Sequence, residues 1–180
     1  MTVKDIFDYL CTRAPLDTAE AWDNPGLLVG DPHKQVSRVL VALDATDGAL
    51  ATARAVGADL LVTHHPVIFA PLKRLTADSI PYRLATLGIG VVSAHTNLDK
   101  AMGGVNDTLA ARLGLTDVTV AADEFTRIGI LPQEMSARNF AAHVAEVLET
   151  PVRYAGDRPV RTVAVCGGSG GNMHLGNGTG

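Results

Sequence analysis

Three short apolar runs, each leading into polar residues, dominate the pattern of the amino-terminal half of the chain. They lie within residues 38–46 (RVLVALDAT), 59–63 (DLLVT) and 89–94 (IGVVSA). Uninterrupted apolar runs of this length are typical of strands buried on both faces, so we expect three buried strands. The stretch 46–57 between the first two runs is amphipathic and predicts a helix. Strand, helix and strand in succession indicate a parallel sheet.

The remaining elements suggest a second lobe. Thr2 and Asp5 are spaced as a capping box at the start of a first helix, and Asn24-Pro25-Gly26 predicts a turn before a short strand. Ser136 is a candidate N-cap for a helix that restarts the pattern. The predicted fold class is therefore α/β, with two α/β lobes of which the first has a mainly parallel sheet. We expect a first lobe over residues 1–124, an incomplete second lobe over 125–171 and a tail over 172–180.

Side chains that bind metals follow these strands where each strand ends. Asp44 follows the first strand, His64 and His65 follow the second, and His95 and Asp99 follow the third. Ligands of open α/β sheets bind at this carboxyl edge. Imidazole and carboxylate ligands without thiols suit Zn²⁺, Mn²⁺ or Fe²⁺.

The adjacent histidines leave alternatives open. Neighbouring side chains of an extended chain point to opposite faces, so His64 and His65 suit two ions, or one ion if the strand has already turned. The structural alternative is that both rings cap the strand end through backbone hydrogen bonds. For Asp44 the alternatives are capping the next helix and supporting a metal ligand.

Composition and charge narrow the functional classes. The chain has 180 residues, of which 47% are hydrophobic and 19% charged, as expected for a soluble globular protein. A net charge of −4 without a basic run argues against a dedicated nucleic-acid binder. Cys11 and Cys166 are far apart, and neither a signal peptide nor a membrane-spanning run is visible, so we expect a cytoplasmic protein. Trp22 is interpreted as a packing anchor, with stacking on a substrate as the alternative.

Five motifs resemble those of a known family. They are WDNPGLLVGDP at 22–32, VALDAT at 41–46, LLVTHHPVIF at 60–69, SAHTNLDKAMGGVNDTLA at 93–110 and VAVCGGSGG at 163–171. The chain resembles the GTP cyclohydrolase I type 2 homologue family, Nif3-like proteins with a dinuclear metal centre that assemble as toroidal hexamers. This resemblance covers nearly the whole chain to residue 171.

The resemblance implies a metal site and a function. It implies that His64, His65 and Asp99 are metal ligands, with His95 close to the site and two divalent ions in a complete homologue. A dinuclear site implies a metal-dependent hydrolase acting on a small molecule of unknown identity. The alternative is a non-catalytic, metal-binding oligomeric interaction protein. The resemblance also implies a homohexamer.

One departure from the family pattern bears on these expectations. Family members supply a further histidine, and a bridging glutamate four residues later, downstream of the GGSGG turn. This sequence ends at Gly180 and His174 is not followed by such a glutamate. We therefore expect a chain that is truncated at its carboxyl end relative to the family, which is the motive for the non-catalytic alternative.

Overall fold

The computed structural model describes residues 1–170, which form two compact units, one ending at Ala101 and the other beginning at Met102. The first unit contains a central four-stranded sheet and four α-helices. Its elements are α1 (Val3–Arg13), a short 3₁₀ helix (Leu16–Thr18), β1 (Gly26–Val29), β2 (Val39–Ala42), α2 (Asp47–Val56), β3 (Leu60–Thr63), α3 (Ile80–Thr86), β4 (Gly90–Ser93) and α4 (Thr96–Lys100).

Side chains cap the first two helices, and the capping box predicted for α1 is confirmed. The Thr2 hydroxyl accepts the backbone N–H of Asp5, and the Asp5 carboxylate accepts the backbone N–H of Thr2 at 2.7 Å, which completes a capping box at α1. Thr46 caps α2 through the backbone N–H of Ala49. Gly57 ends α2 with a φ of 65°, a left-handed conformation that glycine adopts without steric cost.

The sheet of the first unit has the strand order β1-β4-β3-β2. Strands β2, β3 and β4 are parallel, while β1 is antiparallel to β4. The predicted α/β fold with a mainly parallel sheet is confirmed. Because β1 runs the opposite way, its first residue, Gly26, pairs with Ser93 at the end of β4, so the loop before β1 also reaches the carboxyl edge.

Helices cover both faces of this sheet. Leu60 and Val92 lie on the face that packs with Val3 of α1. Their neighbours Leu61 and Val91 lie on the opposite face, in a cluster that includes residues of α2 and α3. Burial on both faces explains why β3 and β4 have uninterrupted apolar sequences.

The prediction of a buried strand at 38–46 was wrong in one respect. Strand β2 is an edge strand that pairs only with β3, and the side chains of Val39 and Val41 are 39% and 74% exposed. An apolar run therefore did not distinguish an edge strand from a central one.

The second unit is built on an antiparallel sheet with the order β5-β6-β7. It begins earlier than the expected boundary after residue 124, because β5 pairs with β6 and α5 packs on the same sheet. No strand was predicted at β5, whose residues are all exposed. The elements are α5 (Val105–Arg112), β5 (Thr116–Val120), β6 (Arg127–Met135), α6 (Ala137–Val147) and β7 (Val160–Val165).

A buried arginine beside the core of the second unit pairs with a partly exposed carboxylate. Ala110, Leu113, Leu131 and Val163 belong to its apolar cluster. The Arg127 side chain is fully buried, and its Nε donates to the carboxylate of Asp107 on α5.

The helices are short throughout residues 1–170. None of them combines the length and the apolar character that crossing a membrane requires.

Candidate metal centre

The end of β3 places His64 and His65 on the same side of the chain. β3 ends at Thr63, and both histidines lie in the bend that follows. The hydroxyl of Thr63 donates to the carbonyl of His65 at 2.9 Å, and the backbone N–H of His65 donates to the carbonyl of Leu43 at 3.0 Å. The ring centroids of His64 and His65 lie 4.9 Å apart. The bend after Thr63, and not an extended strand, therefore sets the arrangement of the adjacent histidines.

His95 joins them from the end of β4. Its ring centroid lies 5.2 Å from that of His64 and 5.5 Å from that of His65. One ligand nitrogen from each of the three histidines lies within 4.8 Å of the other two. This cluster of His64, His65 and His95 is called the histidine cluster below.

Each ring of the histidine cluster is oriented by an oxygen atom at Nδ1. Nδ1 of His64 lies 2.9 Å from the carbonyl oxygen of Ala94, and a carbonyl oxygen can only accept, so this nitrogen is the protonated one. Nδ1 of His65 lies 2.7 Å from Oδ1 of Asp44, and Nδ1 of His95 lies 2.7 Å from Oδ1 of Asp23. The Nε2 atoms therefore keep the lone pairs. This is the arrangement by which proteins fix the tautomer of a metal-binding histidine.

Asp23 is a site residue that the sequence did not single out. Its side chain is buried, and its carboxylate accepts hydrogen bonds from the backbone N–H of Thr96 at 3.0 Å and from that of Asn24 at 2.7 Å. Burial opposes ionisation, but these bonds and those from the His95 ring and the Thr96 hydroxyl outweigh it and lower the pKa of Asp23. An ionised Asp23 can act only as an acceptor, so it fixes the proton of His95 on Nδ1.

Asp99 brings a carboxylate to the histidine cluster. Its Oδ1 lies 3.5 Å from Nε2 of His64, and both side chains are largely buried. Two atoms bound about 2.1 Å from one ion lie about 3–4 Å apart, so this separation fits two ligands of a shared cation.

Electrostatics at this pair also fit a cation. Burial lowers the pKa of His64 against the opposing effect of the Asp99 carboxylate, and this favours the neutral ring that metals bind. Burial raises the pKa of Asp99, while the charge of His64 acts in the opposite direction. A bound cation would offset the cost of burying this carboxylate.

The structure thus brings together all five residues that the sequence placed at the sheet edge: Asp44, His64, His65, His95 and Asp99. Asp44 does not cap α2, since Thr46 has that role, and it contacts His65 instead. His174 lies outside the described residues. Asp23 was missed because its position depends on β1 running antiparallel to β4; its place in the WDNPG motif just before a predicted strand was the available signal.

Comparisons with known proteins match nearly the whole chain. A family model described as Duf34/NIF3 (NGG1p interacting factor 3) matches residues 1–175. A GTP cyclohydrolase 1 type 2 homolog of Clostridium perfringens is 34% identical over 184 residues, covering 94% of this chain and 70% of that protein. A protein of the same name from Streptomyces coelicolor is 37% identical over 177 residues, covering 88% of this chain.

Solved structures agree with the sequence comparison. The crystal structure of a Bacillus cereus protein related to NIF3 matches with a TM-score of 0.88 and 25% identity, over 94% of this chain and 77% of that one. The chain spans only 62% of the length of the Streptomyces relative. Because the family model matches nearly every residue and the fold agrees, the chain belongs to the Duf34/NIF3 (NGG1p interacting factor 3) family.

Proposed function

We propose that the protein binds divalent metal through His64, His65 and Asp99, with His95 beside them, and acts as a metal-dependent hydrolase. The observation that supports metal binding most strongly is the common orientation of the histidine cluster. All three Nδ1 atoms are engaged by oxygen atoms, and one ligand nitrogen of each ring lies within 4.8 Å of the others. Capping of the strand end would account for the bond between His64 and the Ala94 carbonyl, but it would not account for the convergence of three rings.

The donor set points to a class of metals. Imidazole nitrogens with a carboxylate oxygen and no thiol suit Zn²⁺, Mn²⁺ or Fe²⁺. When bound, such a cation supplies Lewis-acid polarisation of a substrate oxygen and lowers the pKa of water. The number of bound ions also belongs to the proposal. The resemblance to proteins with a dinuclear metal centre favours two ions.

The residues around the histidine cluster orient its rings and leave one side of the site exposed to solvent. Asp23 and Ala94 hold the rings of His95 and His64, which are largely buried. His65 and its partner Asp44 are 44% and 48% exposed, so the solvent side of the site lies at His65. We therefore place substrate entry on the His65 side.

Metal content is the first test. After purification and dialysis against Zn²⁺, Mn²⁺ or Fe²⁺, inductively coupled plasma mass spectrometry should find bound metal in the wild-type protein and a marked loss in His64→Ala. His33→Ala is the matched control, because His33 is exposed and lies outside the histidine cluster. Equal metal content in His64→Ala and His33→Ala would refute the proposed site.

Turnover is the second test. The two relatives described above carry the name GTP cyclohydrolase 1 type 2 homolog, so GTP is the first compound to assay, followed by phosphoesters. Activity that disappears with a chelator and returns with metal would support hydrolysis. Bound metal without turnover of any of these compounds would instead favour a non-catalytic metal-binding protein.

The expected homohexamer is part of the same proposal. The support is the family resemblance alone, and sedimentation velocity on the purified chain measures the assembly directly. A species of six chains would agree with the expectation, whereas a monomer at micromolar concentration would contradict it.

A further inference from the structure

Two large aromatic side chains are exposed beside the histidine cluster. Trp22 is 59% exposed and Phe69 is 52% exposed, and their ring centroids lie 5.8 Å apart. Trp22 is therefore not the packing anchor that its sequence position suggested. Adjacent exposed aromatic rings with a polar rim are uncommon on soluble proteins and mark binding sites more often than isolated apolar residues do.

This pair, called the aromatic platform below, contacts the candidate metal centre. The ring centroids of Trp22 and Phe69 each lie 6.2 Å from that of His95, with interplanar angles of 74° and 78°. A molecule lying on the platform would therefore touch the same ring whose Nε2 atom belongs to the histidine cluster.

Hydrogen bonds hold the platform in place although the rings are not buried. Nδ2 of Asn24 donates to the carbonyl of Ile68 at 2.6 Å, which ties the loop that carries Trp22 to the loop that carries Phe69. Asp23, the neighbour of both Trp22 and Asn24, is fixed to His95. Rings that are pre-positioned without being buried lose little freedom when a ligand stacks on them.

The geometry of the rings defines how a ligand would bind. A planar ring inserted between two aromatic rings needs a gap of about 7 Å, twice a contact distance of about 3.5 Å. Trp22 and Phe69 are closer than this and tilted by 53°, so the platform offers open outer faces and not a slot between its rings. An open face accepts planar rings of different sizes.

We infer that the aromatic platform of Trp22 and Phe69 binds the planar heteroaromatic ring of the substrate by stacking and directs the polar edge of that ring to the histidine cluster. This inference rests on the proposed function, because it assigns a substrate class to the same site. A heteroaromatic ring fits best, since its face matches the platform and its ring nitrogen and oxygen atoms match the polar histidine side. Nucleobases are the readily available probes of this class.

Intrinsic fluorescence can report binding at the platform directly. Trp22 is the only tryptophan of the chain, so emission excited at 295 nm arises from the platform alone. Adenosine, guanosine and uridine are titrated into the purified 180-residue chain, with ribose as the ring-free control. We expect saturable quenching by the nucleosides and none by ribose; the inference is overturned if no nucleoside differs from ribose.

Variants separate stacking from other causes of quenching. Phe69→Ala should weaken nucleoside binding about tenfold, as expected for the loss of one aromatic–base contact. Phe69→Leu keeps apolar bulk and folding but lacks a ring, so it should bind nearly as weakly. Tyr9→Ala, which removes an exposed aromatic ring on α1, should bind like the wild type. Wild-type affinity in both Phe69 variants would overturn the inference.

Parallel metal measurements keep this inference distinct from the proposed function. Quenching and metal content are measured on the same samples of wild type and of a His64→Ala, His65→Ala double variant. If the wild-type protein shows nucleoside quenching but binds no metal, the platform is supported and the metal centre is refuted. Bound metal without nucleoside quenching would overturn the platform and leave the metal centre standing.

Discussion

Nδ1 of His95 lies 2.7 Å from Oδ1 of Asp23, although the two residues are 72 positions apart in the chain. The contact exists because antiparallel β1 starts where parallel β4 ends. It orients one ring of the histidine cluster and anchors the loop that carries Trp22. The strand arrangement therefore places Asp23 in contact with His95 of the candidate metal centre and next to Trp22 of the aromatic platform.

Replacing Asp23 should weaken metal binding without removing a ligand. Asp23→Ala deletes the acceptor that fixes the tautomer and direction of His95, and changes of this kind typically cost about 10–100-fold in metal affinity. Isothermal titration calorimetry of metal-depleted protein with Zn²⁺ measures the effect. The control is Asp17→Ala, an exposed carboxylate outside the site; a Zn²⁺ affinity for Asp23→Ala equal to that of the control would contradict the assigned role.

Replacing Asp44 should have a smaller effect of the same kind. Asp44 orients His65, but this pair is about half exposed, and water can replace a lost acceptor there more readily than at the buried Asp23. Asp44→Ala should therefore weaken Zn²⁺ binding by less than Asp23→Ala does in the same titration. A larger loss of Zn²⁺ affinity in Asp44→Ala than in Asp23→Ala would contradict the expectation that the buried acceptor contributes more.

The position of a strand in the sheet should decide how much the loss of one of its side chains lowers stability. Leu61→Ala in the central strand β3 removes a fully buried side chain and should lower the free energy of unfolding by about 2–5 kcal/mol. Val41→Ala in the edge strand β2 should change it by about 0.5 kcal/mol or less, because Val41 is mostly exposed. Urea unfolding followed by Trp22 fluorescence reports the first unit. Equal losses in the two variants would contradict the edge position of β2.

The second unit should lose stability in acid through Asp107. Burial acts to raise the pKa of this carboxyl, but hydrogen bonds from Arg127 and from the backbone N–H of Gly103 dominate and lower it. A carboxyl whose pKa is lower in the folded state stabilises the fold above its unfolded pKa of about 3.9, and this contribution is lost as the pH falls through the folded pKa.

Asp107→Asn tests this assignment. It leaves the buried guanidinium of Arg127 without its carboxylate and should cost about 1–3 kcal/mol at pH 7, measured by circular dichroism in urea. The difference between variant and wild type should shrink below pH 3. A difference that stays constant from pH 7 to pH 2 would contradict the role of the ionised pair.

The sequence predicted much of the first unit because its signals were local. The capping box of Thr2 and Asp5, the amphipathic helix at 46–57 and the apolar run at β3 each depend on only a few neighbouring positions. What it missed depends on pairing between distant segments. The edge position of β2, the contact of Asp23 with His95 and the exposure of Trp22 all follow from strand order and direction, which apolar periodicity does not encode.

The candidate site shows the same contrast between local signals and pairing of distant segments. The strand ends made His64, His65 and Asp99 candidates, but the mutual arrangement of these side chains depends on the bend after Thr63 and on the start of α4. Strand β5 has the sequence TDVTV, which lacks an uninterrupted apolar run, and all of its residues are exposed. No strand was predicted there, and the expected boundary therefore fell later, after residue 124.

The location of bound metal tests the central claim most directly. Crystals of the protein grown with Zn²⁺ are measured above and below the zinc absorption edge, and an anomalous difference map locates the ions. The predicted result is one or two peaks within about 2.0–2.2 Å of Nε2 of His64, Nε2 of His65 and a carboxylate oxygen of Asp99. Zinc-loaded protein whose peaks all lie away from these three side chains would contradict the claim.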